Sequence, residues 1–309
     1  MTDLAQPAEP AVDVILRDGT TLRLRAPTGA DVPGVTAFFA DLSVRSRFLR
    51  FHGFTAAGDR FVRSFVEPDW AERGSLIGVL GDGAEERVVG VGNYVRLREP
   101  QSAEAAFAVA DELQGRGIGT RLLEQLAQRA AAHGIEAFIA EVLPENSTML
   151  SVFESAGFVP TRTLDGGVVE VRFPIEATEG YRARVDERDH VAVTASLRPF
   201  FQPRTVAVVG ASARRGSIGG ELFRNVLGGG FTGAAYPVNR SGEPVAGVRA
   251  YRSLEEIGDQ IDLCVVCLPG DLVLAAAEDA LRTGTRSLCV ISAGFAETGP
   301  KGPHARSSC

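Results

Sequence analysis

The strongest constraint on the fold is a segment in which a strand pattern runs through a glycine-rich turn into a helix pattern. Residues 103–110 predict a strand, and apolar residues from Ile118 to Ala130 recur at helical spacing. Between them stands Gln114-Gly-Arg-Gly-Ile-Gly-Thr120. Because glycine has no Cβ, this backbone can approach a ligand closely, and the helix that follows directs its first N–H groups and the positive end of its dipole there. The segment therefore predicts a phosphate-binding unit of an α/β fold.

The amino-acid sequence of this turn is more specific than that of an ordinary glycine-rich loop. Gln114-x-x-Gly117-x-Gly119 resembles the acyl-CoA pyrophosphate loop of GNAT-type N-acetyltransferases, and the segment from Glu141 to Phe158 resembles the second segment of that family. The resemblance implies a mixed sheet with helices on both faces and acetyl-CoA as cosubstrate. The implied binding residues are Val109, Gln114, Gly115, Arg116, Gly117, Ile118, Gly119, Thr120 and Asn146. Asn146 is also well suited to cap a helix, and both roles are compatible.

Charge around the loop adds to this prediction. Arg116 and Arg121 follow the glycines closely, and we expect them to supply mobile positive charge to a phosphate.

The strand before the loop carries one acidic residue, Glu104. Strand alternation places Phe107 and Val109 on one face and Glu104, Ala106 and Ala108 on the other. Residues 42–51, Leu-Ser-Val-Arg-Ser-Arg-Phe-Leu-Arg-Phe, resemble a segment of Pat-type protein lysine acetyltransferases. In those enzymes a glutamate at this distance before the loop is the general base, and Glu104 matches it. Such a base is needed because a lysine ammonium of pKa ~10.4 must lose a proton before it attacks a thioester. A solvated glutamate at a strand start is the alternative.

The resemblance also implies how the thioester is handled. Backbone N–H groups around Val109 would hold the thioester carbonyl and its oxyanion. Many relatives carry a tyrosine near position 153 as the acid for the departing thiolate, whereas this chain has Phe153. A thiol of pKa ~8.5 is a fair leaving group without help, so the difference bears on the protonation step and not on the reaction class.

Upstream, Leu42-Ser-Val-Arg-Ser-Arg-Phe-Leu-Arg-Phe51 interleaves arginines with apolar residues. The pattern predicts either the end of an amphipathic helix or part of an acceptor surface. It resembles the Leu-Ser-x-x-Ser-Arg-(aromatic)-Leu-Arg-Phe segment of the Pat-type enzymes. That resemblance implies a protein lysine as acceptor, with an acyl-CoA synthetase as a candidate protein substrate.

The remaining pattern of this half alternates strands and helices. We predict strands at residues 20–26, 75–80, 87–97, 138–142 and 168–173, and helices from residue 31, at 59–70 and at 148–156.

Composition excludes several function classes. The 309 residues include 32 Lys and Arg against 39 Asp and Glu, for a formal net charge of −7. An acidic chain without a long basic run is a poor candidate for binding nucleic acid or membrane surfaces. The chain also lacks an apolar run of membrane-spanning length and a signal-peptide pattern at its N-terminus. We therefore expect a cytoplasmic protein.

The cysteines offer a candidate metal or redox pair, Cys264 and Cys267. They lie inside the apolar run 261–268, which predicts a buried strand, and residues three apart on a strand point to opposite faces. A second Cys or His pair that would complete a zinc set is missing from the sequence. We expect core thiols and no metal site.

A second α/β pattern begins near residue 204. The run Thr205-Val-Ala-Val-Val-Gly210 predicts a buried strand that leads into a loop and a helix, and further strands are predicted at 234–238, 261–268 and 287–292. An NAD site is the obvious alternative. Against it, Ser212 replaces the second glycine of the Gly-x-Gly-x-x-Gly motif, and Asn239-Arg240 stands where an NAD-binding domain has an acid. We therefore expect no NAD.

These segments instead resemble the CoA-binding domain of NDP-forming acyl-CoA synthetases, of the succinyl-CoA synthetase alpha-chain type. The resemblance implies a Rossmann-like fold and a second CoA site. The implied residues of that site are Gly210, Ala211, Ser212, Ser217, Gly219 and Asn239.

The predicted organisation is a disordered N-terminus at 1–11, a GNAT domain at 12–176, a linker helix within 177–203, an incomplete Rossmann-like CoA-binding domain at 204–299 and an unstructured tail at 300–309. Synthetases of this type continue into further domains, and residues 300–309 match none of them. We interpret this ending as a natural truncation or a frameshift. It predicts no synthetase activity, and self-association through an exposed edge of the second domain.

The expected function is transfer of acetyl from acetyl-CoA to an amine, with a protein lysine as the preferred acceptor and Glu104 as general base. Direct attack is expected, because the first domain places no Cys or Ser beside a base. Two alternatives stay open. A small-molecule amine acetyltransferase would share every GNAT motif, and a non-catalytic acyl-CoA sensor would bind CoA without turnover.

Overall fold

The computed structural model describes residues 10–52, 58–81 and 83–292. Contacts divide the chain into two compact units, Met1–Ser196 and Leu197–Cys309. Most of the predicted disordered segment 1–11 and the whole of the tail 300–309 lie outside the described residues.

In the described part of the first unit, eight strands form one sheet. They are β1 (Val12–Ile15), β2 (Thr21–Arg25), β3 (Arg73–Leu80), β4 (Arg87–Arg96), β5 (Ser102–Val109), β6 (Ala137–Val142), β7 (Thr161–Asp165) and β8 (Val168–Pro174). The α-helices are α1 (Val32–Asp41), α2 (Val44–Phe51), α3 (Asp59–Phe65), α4 (Ile118–Ala132), α5 (Ser147–Ala156) and α6 (Glu179–Phe201), the last of which continues into the second unit.

The sheet is mixed, as the sequence predicts. Its order is β1-β2-β3-β4-β5-β6-β8-β7, and the pairing is antiparallel except between β5 and β6. Helix α4 packs closely on β4, because a Cβ at Gly90 would lie only 3.0 Å from side-chain atoms of Ile118 and Leu122. The glycine on β4 therefore sets how near the helix after the Gly-rich loop comes to the sheet.

Several local predictions differ from the structure. Strands β1 and β7 were not predicted. The helix predicted over 59–70 ends at Phe65, and the chain then bends at Pro68, with Glu67 at φ 57° and Trp70 at φ 59°. A proline disfavours helical geometry in the residue before it, which explains why the helix stops short.

Helix α6 differs from the predicted linker over 177–203. Its residues up to Ser196 belong to the first unit. Tyr181 stacks on Phe158 with ring centroids 4.8 Å apart, and Ala192 is buried. A strongly charged sequence suggests a solvated helix, but this helix packs on the core of the first unit.

The charges of α6 explain this packing. Arg188 contacts the buried carboxylate of Glu124 on α4, and Glu124 also accepts a hydrogen bond from Arg121 Nη1 at 3.1 Å. Arg121 Nη2 in turn contacts Asp189 Oδ1 at 2.5 Å. Two cations and two anions therefore join α4 to α6 in a partly water-excluded cluster.

The second unit has the predicted Rossmann-like pattern. Its strands are β9 (Thr205–Val209), β10 (Ala234–Val238), β11 (Leu263–Val266) and β12 (Ser287–Val290), and its helices are α7 (Ile218–Gly228) and α8 (Gly270–Arg282). The sheet order is β10-β9-β11-β12, with all pairs parallel.

Cys264 and Cys267 lie as predicted, whereas Cys309 is outside the described residues. Cys264 belongs to the cluster on one side of the sheet and Cys267 packs against the cluster on the other. Burial raises the pKa of Cys264 to about 12, which makes it an unreactive core thiol. Among the described helices, none combines the length and apolar character needed to cross a bilayer.

The charge cluster gives a stability prediction. We expect Glu124→Gln to destabilise the first unit by about 3 kcal/mol, because removing a buried anion leaves Arg188 without its counter-charge. Denaturant unfolding followed by the fluorescence of Trp70, the chain's one tryptophan, measures the change in this unit. The control is Glu154→Gln, which removes an exposed partner of Arg162 and should cost less than ~1 kcal/mol. Equal midpoints for the two variants would contradict the expectation.

Candidate active site

The first unit contains a cavity of about 680 Å³ at the place where β5 and β6 separate. These parallel strands share three residue pairs, the last of which joins Glu104 to Ile139. Beyond it, β5 remains paired with β4 up to Val109 and β6 remains paired with β8. The cavity is lined by β5 and β6, by the glycine loop with the start of α4, by α5 with the loop before it, and by α2.

Backbone groups of β5 point into this gap. Ala110 N donates to Val89 O, so alternate residues of β5 bond to β4 and those between them point away from it. The residues that point away include Ala105, Phe107 and Val109. Because β6 has diverged there, their N–H and C=O groups are presented to the cavity. Val109, predicted from the sequence, lies at its inner wall.

The predicted loop forms the next wall. Gln114 Nε2 donates to Val109 O at 3.3 Å, which ties the loop to the end of β5. Gly117 is the N-cap of α4 with φ +93°, a conformation that favours glycine. Gln114, Gly115, Gly117, Ile118, Gly119 and Thr120 all line the cavity. The positive end of the α4 dipole and its first N–H groups therefore lie at the cavity wall.

Gly119 has a different reason to be glycine. A Cβ there would lie 3.8 Å from methyl carbons of Val109 and Val152, which is ordinary contact. All three residues line the cavity, so a larger side chain at position 119 would extend into it.

The two arginines of the loop differ from the prediction. Arg116 is not among the lining residues and pairs with Asp18 at 3.2 Å. Arg121 is buried and pairs with the buried Glu124 at 3.1 Å. Their charges are therefore already paired within the protein.

Three other arginines, Arg17, Arg45 and Arg50, line the cavity instead. Arg45 belongs to the arginine-rich string noted in the sequence. Arg17 lies in the turn between β1 and β2, where no sequence pattern distinguishes it.

Asn146 caps a helix, one of the two roles considered for it, and lies at the cavity. Its Oδ1 accepts a hydrogen bond from Met149 N at 3.2 Å, which caps α5, and the residue also lines the cavity. Phe153 is fully buried and packs against Phe173 with ring centroids 4.8 Å apart. The ring at position 153 thus belongs to the core beneath the cavity and supplies no hydroxyl.

Glu104 lies at the apex of the cleft, where β5 and β6 separate. It is exposed, shares a sheet face with Ala106 and Ala108, and is not itself among the residues that line the cavity. The alternation predicted for this strand is present, since Ala103, Ala105 and Phe107 are buried on the other face.

Helix α2 is fixed to the loop by one carboxylate, which the sequence did not reveal. Asp111 accepts hydrogen bonds from Ser43 N and Ser43 Oγ, both at 2.9 Å, and from Ser46 Oγ at 2.6 Å. Gln114 Nε2 also reaches Ser46 Oγ at 3.4 Å. The serines of the Leu-Ser-x-x-Ser string therefore attach α2 to the segment that begins the glycine loop.

In the second unit, the predicted residues meet at one edge of the sheet. Gly210 follows β9 and Asn239 follows β10, and the carboxyl ends of these neighbouring parallel strands are adjacent. Gly210 has φ +90°, and a Cβ on Gly219 would meet Gly210 O at 2.4 Å. Both glycines are therefore required by close packing of the loop against α7.

The polar residues at this edge bond to backbone groups of their own loops. Ser212 Oγ accepts from Arg214 N at 3.1 Å, and Ser217 Oγ donates to Arg214 O at 2.7 Å. Asn239 Nδ2 donates to Glu243 O at 3.0 Å. Ala211 is buried. These contacts hold the loops at this edge of the sheet in place.

A metal centre is not apparent in the part of the chain that the structure describes, where no three His, Cys, Asp or Glu side chains are grouped to hold an ion.

Comparison with known proteins agrees with the division of the chain into two units. Residues 45–158 match the model of the acetyltransferase (GNAT) family, and residues 204–298 match that of the CoA binding domain. The crystal structure of the GNAT domain of S. lividans PAT is 34% identical with a TM-score of 0.51, and the match covers 55% of this chain and 99% of that domain.

Other relatives are similar to this chain over only part of their length. Acetyltransferase Pat of Mycolicibacterium smegmatis is 30% identical over 194 residues, which are 62% of this chain and 57% of that protein. The alpha subunit of acetate–CoA ligase [ADP-forming] I of Pyrococcus furiosus is 36% identical over 111 residues, 35% of this chain and 24% of that subunit. The chain thus spans about a quarter of this ligase subunit and little more than half of Pat.

The diverging strands, the glycine loop at the start of α4 and the match to nearly the whole PAT domain agree with one another. The chain belongs to the GNAT acetyltransferase family and carries a CoA-binding domain after its GNAT domain.

Proposed function

We propose that the GNAT domain transfers acetyl from acetyl-CoA to the side-chain amine of a protein lysine. The observation that carries this proposal is the cavity between β5 and β6, which exposes backbone donors of one strand and the N-terminus of α4 together. A thioester with a pyrophosphate-linked arm needs both kinds of donor.

In the proposed complex, the loop holds the pyrophosphate. Backbone N–H groups from Gly115 to Thr120 would donate to its oxygens, helped by the dipole of α4. Gly119 leaves room for this approach, and Asn146 on the opposite wall would contact the pantetheine arm. Among the cavity-lining cations, Arg17 and Arg45 could complement the phosphates.

The thioester would then lie along β5. Val109 N–H points into the gap and would donate to the thioester carbonyl, and more strongly to the oxyanion that forms during attack. The amine enters at the apex of the cleft, where Glu104 takes its proton. The amine nitrogen bonds to the carbonyl carbon and the C–S bond breaks, releasing the CoA thiolate.

Attack would be direct. All four cysteines of the sequence follow residue 263, outside the GNAT domain, so a cysteine thioester intermediate has no candidate there. Phe153 offers no proton to the thiolate. We propose that solvent supplies it, since a thiol of pKa ~8.5 leaves readily near neutral pH.

A protein lysine is proposed as acceptor because residues 42–51 resemble those of the Pat-type enzymes. The structure adds a physical reason for this string: Ser43 and Ser46 hold α2 against Asp111 at the cavity wall. Helix α2 would thus present a fixed surface to an incoming protein chain.

The second domain is proposed to bind CoA at the edge formed by Gly210 and Asn239. Its similarity to ligase subunits concerns this domain alone, and the match covers 24% of the ligase subunit compared. We propose that it binds the nucleotide part of CoA without ligase chemistry of its own.

Mass spectrometry tests the acceptor. A candidate acyl-CoA synthetase is incubated with this protein and acetyl-CoA, and acetylated lysines are mapped. Acetylation at a defined lysine supports the proposal. Transfer to free amines alone would favour a small-molecule acetyltransferase, and CoA binding without product would favour a sensor.

The loop yields a binding prediction. Gly119→Glu should abolish binding of acetyl-CoA to the GNAT domain, because the new side chain enters the cavity and repels phosphate. Calorimetry should show the loss of one class of sites, with any second-domain site retained. Gln128→Glu is the control, since it adds the same charge to an exposed position of α4. Unchanged affinity in the first variant would remove the loop from the proposed site.

The base yields a kinetic prediction. Glu104→Gln keeps the shape of the side chain and loses its basicity, so kcat near neutral pH should fall by roughly 10²-fold with acetyl-CoA affinity little changed. Glu136→Gln serves as control, because Glu136 comes just before β6 and is also outside the cavity lining. Should Glu104→Gln turn over as fast as wild type, another group or water must take the proton.

A further inference from the structure

One cation at the cavity is held in an unusual setting. Arg50, near the end of α2, lines the cavity and donates from Nη2 to Asn93 Oδ1 at 2.6 Å. Its Cζ lies 5.1 Å from the ring centroid of Phe51 and 5.8 Å from that of Phe61. Its Nε is buried and has no hydrogen-bond partner among the described residues. The guanidinium is therefore fixed by one amide and two rings.

This cation lies beside Glu104. On the paired strands β4 and β5, Asn93 is opposite Ala106 and Val95 is opposite Glu104, so Asn93 and Glu104 are diagonal neighbours on one face. Arg50, held at Asn93, is thus next to the proposed base. The described residues provide no carboxylate oxygen within 4.0 Å of Arg50, so the two charges interact without forming a closed ion pair.

The electrostatics agree with this placement. Burial lowers the pKa of Arg50 to about 10, and the charge of Glu104 acts in the opposite direction. With a pKa of that size, Arg50 stays positively charged near neutral pH.

We infer that Arg50 is a positioning residue whose fixed charge weakens the attraction of Glu104 for an acceptor ammonium and so favours the neutral amine that reacts. The inference rests on the proposed transfer to an amine. A lone carboxylate stabilises an ammonium beside it and raises the pKa of that ammonium, whereas a nearby cation opposes both effects. The neutral amine gives its lone pair to the thioester carbon, and its remaining excess proton passes to Glu104 as the thiolate leaves.

Other charged groups near this end of the cavity stay in place when Arg50 is replaced. Glu141 on β6 lines the cavity with His52 Nδ1 at 3.9 Å from its carboxylate, and Arg45 on α2 also lines it. Asp111 is occupied by the two serines of α2. A difference between wild type and an Arg50 variant therefore reports on Arg50.

The first measurement is of binding and needs no turnover. Nα-acetyl-L-lysine amide is titrated into the full chain saturated with CoA, for wild type, Arg50→Gln and Arg47→Gln. Arg50→Gln should bind this ammonium about 10-fold tighter near neutral pH, because one like charge has been removed from its surroundings. Arg47→Gln removes a charge from the same helix outside the cavity lining and should bind like wild type.

The second measurement is of rate against pH with the same acceptor. For Arg50→Gln, KM near neutral pH should fall because the ammonium binds more tightly, and kcat should fall because less of the bound amine is neutral. The rising limb of the profile of kcat against pH should move about one pH unit higher. Arg50→Lys keeps the positive charge but lacks the planar guanidinium group. In this variant the rising limb of kcat should stay at the pH at which wild type has it. A merely structural role of Arg50 would lower the melting temperature, followed through Trp70, without moving the limb.

The outcomes separate the two proposals. Equal or weaker lysine binding by a folded Arg50→Gln, or no binding to any variant, overturns the role of Arg50. An unmoved rising limb in an active Arg50→Gln overturns it as well. Absence of acetyl transfer by wild type overturns the proposed function. A fully active Glu104→Gln overturns only the role of Glu104 as base. The binding measurement still tests Arg50 in either case.

Discussion

The end of pairing between β5 and β6 is the constraint on which the first unit depends. Past Glu104 and Ile139 the two parallel strands share no register, so the backbone groups of β5 that would have bonded to β6 face a cavity. Such groups are costly to leave without partners, and a ligand that accepts and donates along an extended chain can satisfy them. The glycine loop and the first turn of α4 then close the same cavity with further donors. One interrupted strand pair therefore provides both the opening and the chemistry of the site.

Asp111 links this opening to the surface that faces the acceptor. Burial raises the pKa of its carboxyl, but hydrogen bonds from Ser43 and Ser46 outweigh burial, so the pKa is lowered overall. The bonded carboxylate thus stays ionised at neutral pH and keeps α2 attached. Since Gln114 reaches both Ser46 and Val109, the helix, the loop and the end of β5 form one hydrogen-bonded unit. A shift of α2 would consequently disturb the loop as well.

Local features of this fold were predictable from the sequence, and features that depend on distant partners were not. The strand before Gln114, the helix after Gly117 and the parallel strands of the second unit follow from periodicity and glycine placement, and the structure agrees within a few residues. Arg121 shows where prediction from local sequence fails. Beside a phosphate-type loop it suggests a ligand contact, yet Glu124 and Asp189 bury it against α6. Its partner Asp189 is 68 residues further along the chain, so no local sequence pattern predicts the contact. The packing of α6 and the role of Asp111 also depend on partners that are distant in sequence, so they were not predictable from it.

The two domains differ in how ready their loops are for a phosphate. The first loop, from Gln114 to Thr120, contains no carboxylate. In the second, Gly216 N already donates to Glu221 Oε1 at 2.8 Å, and Glu221 also pairs with Arg224 at 2.9 Å. A phosphate at the start of α7 would have to replace a carboxylate that occupies the same donor and repels it. The similarity of the two domains to CoA-binding families therefore does not make their sites equivalent. Among the described residues, a side-chain carboxylate occupies a donor of the second loop, and the first loop itself contains no carboxylate.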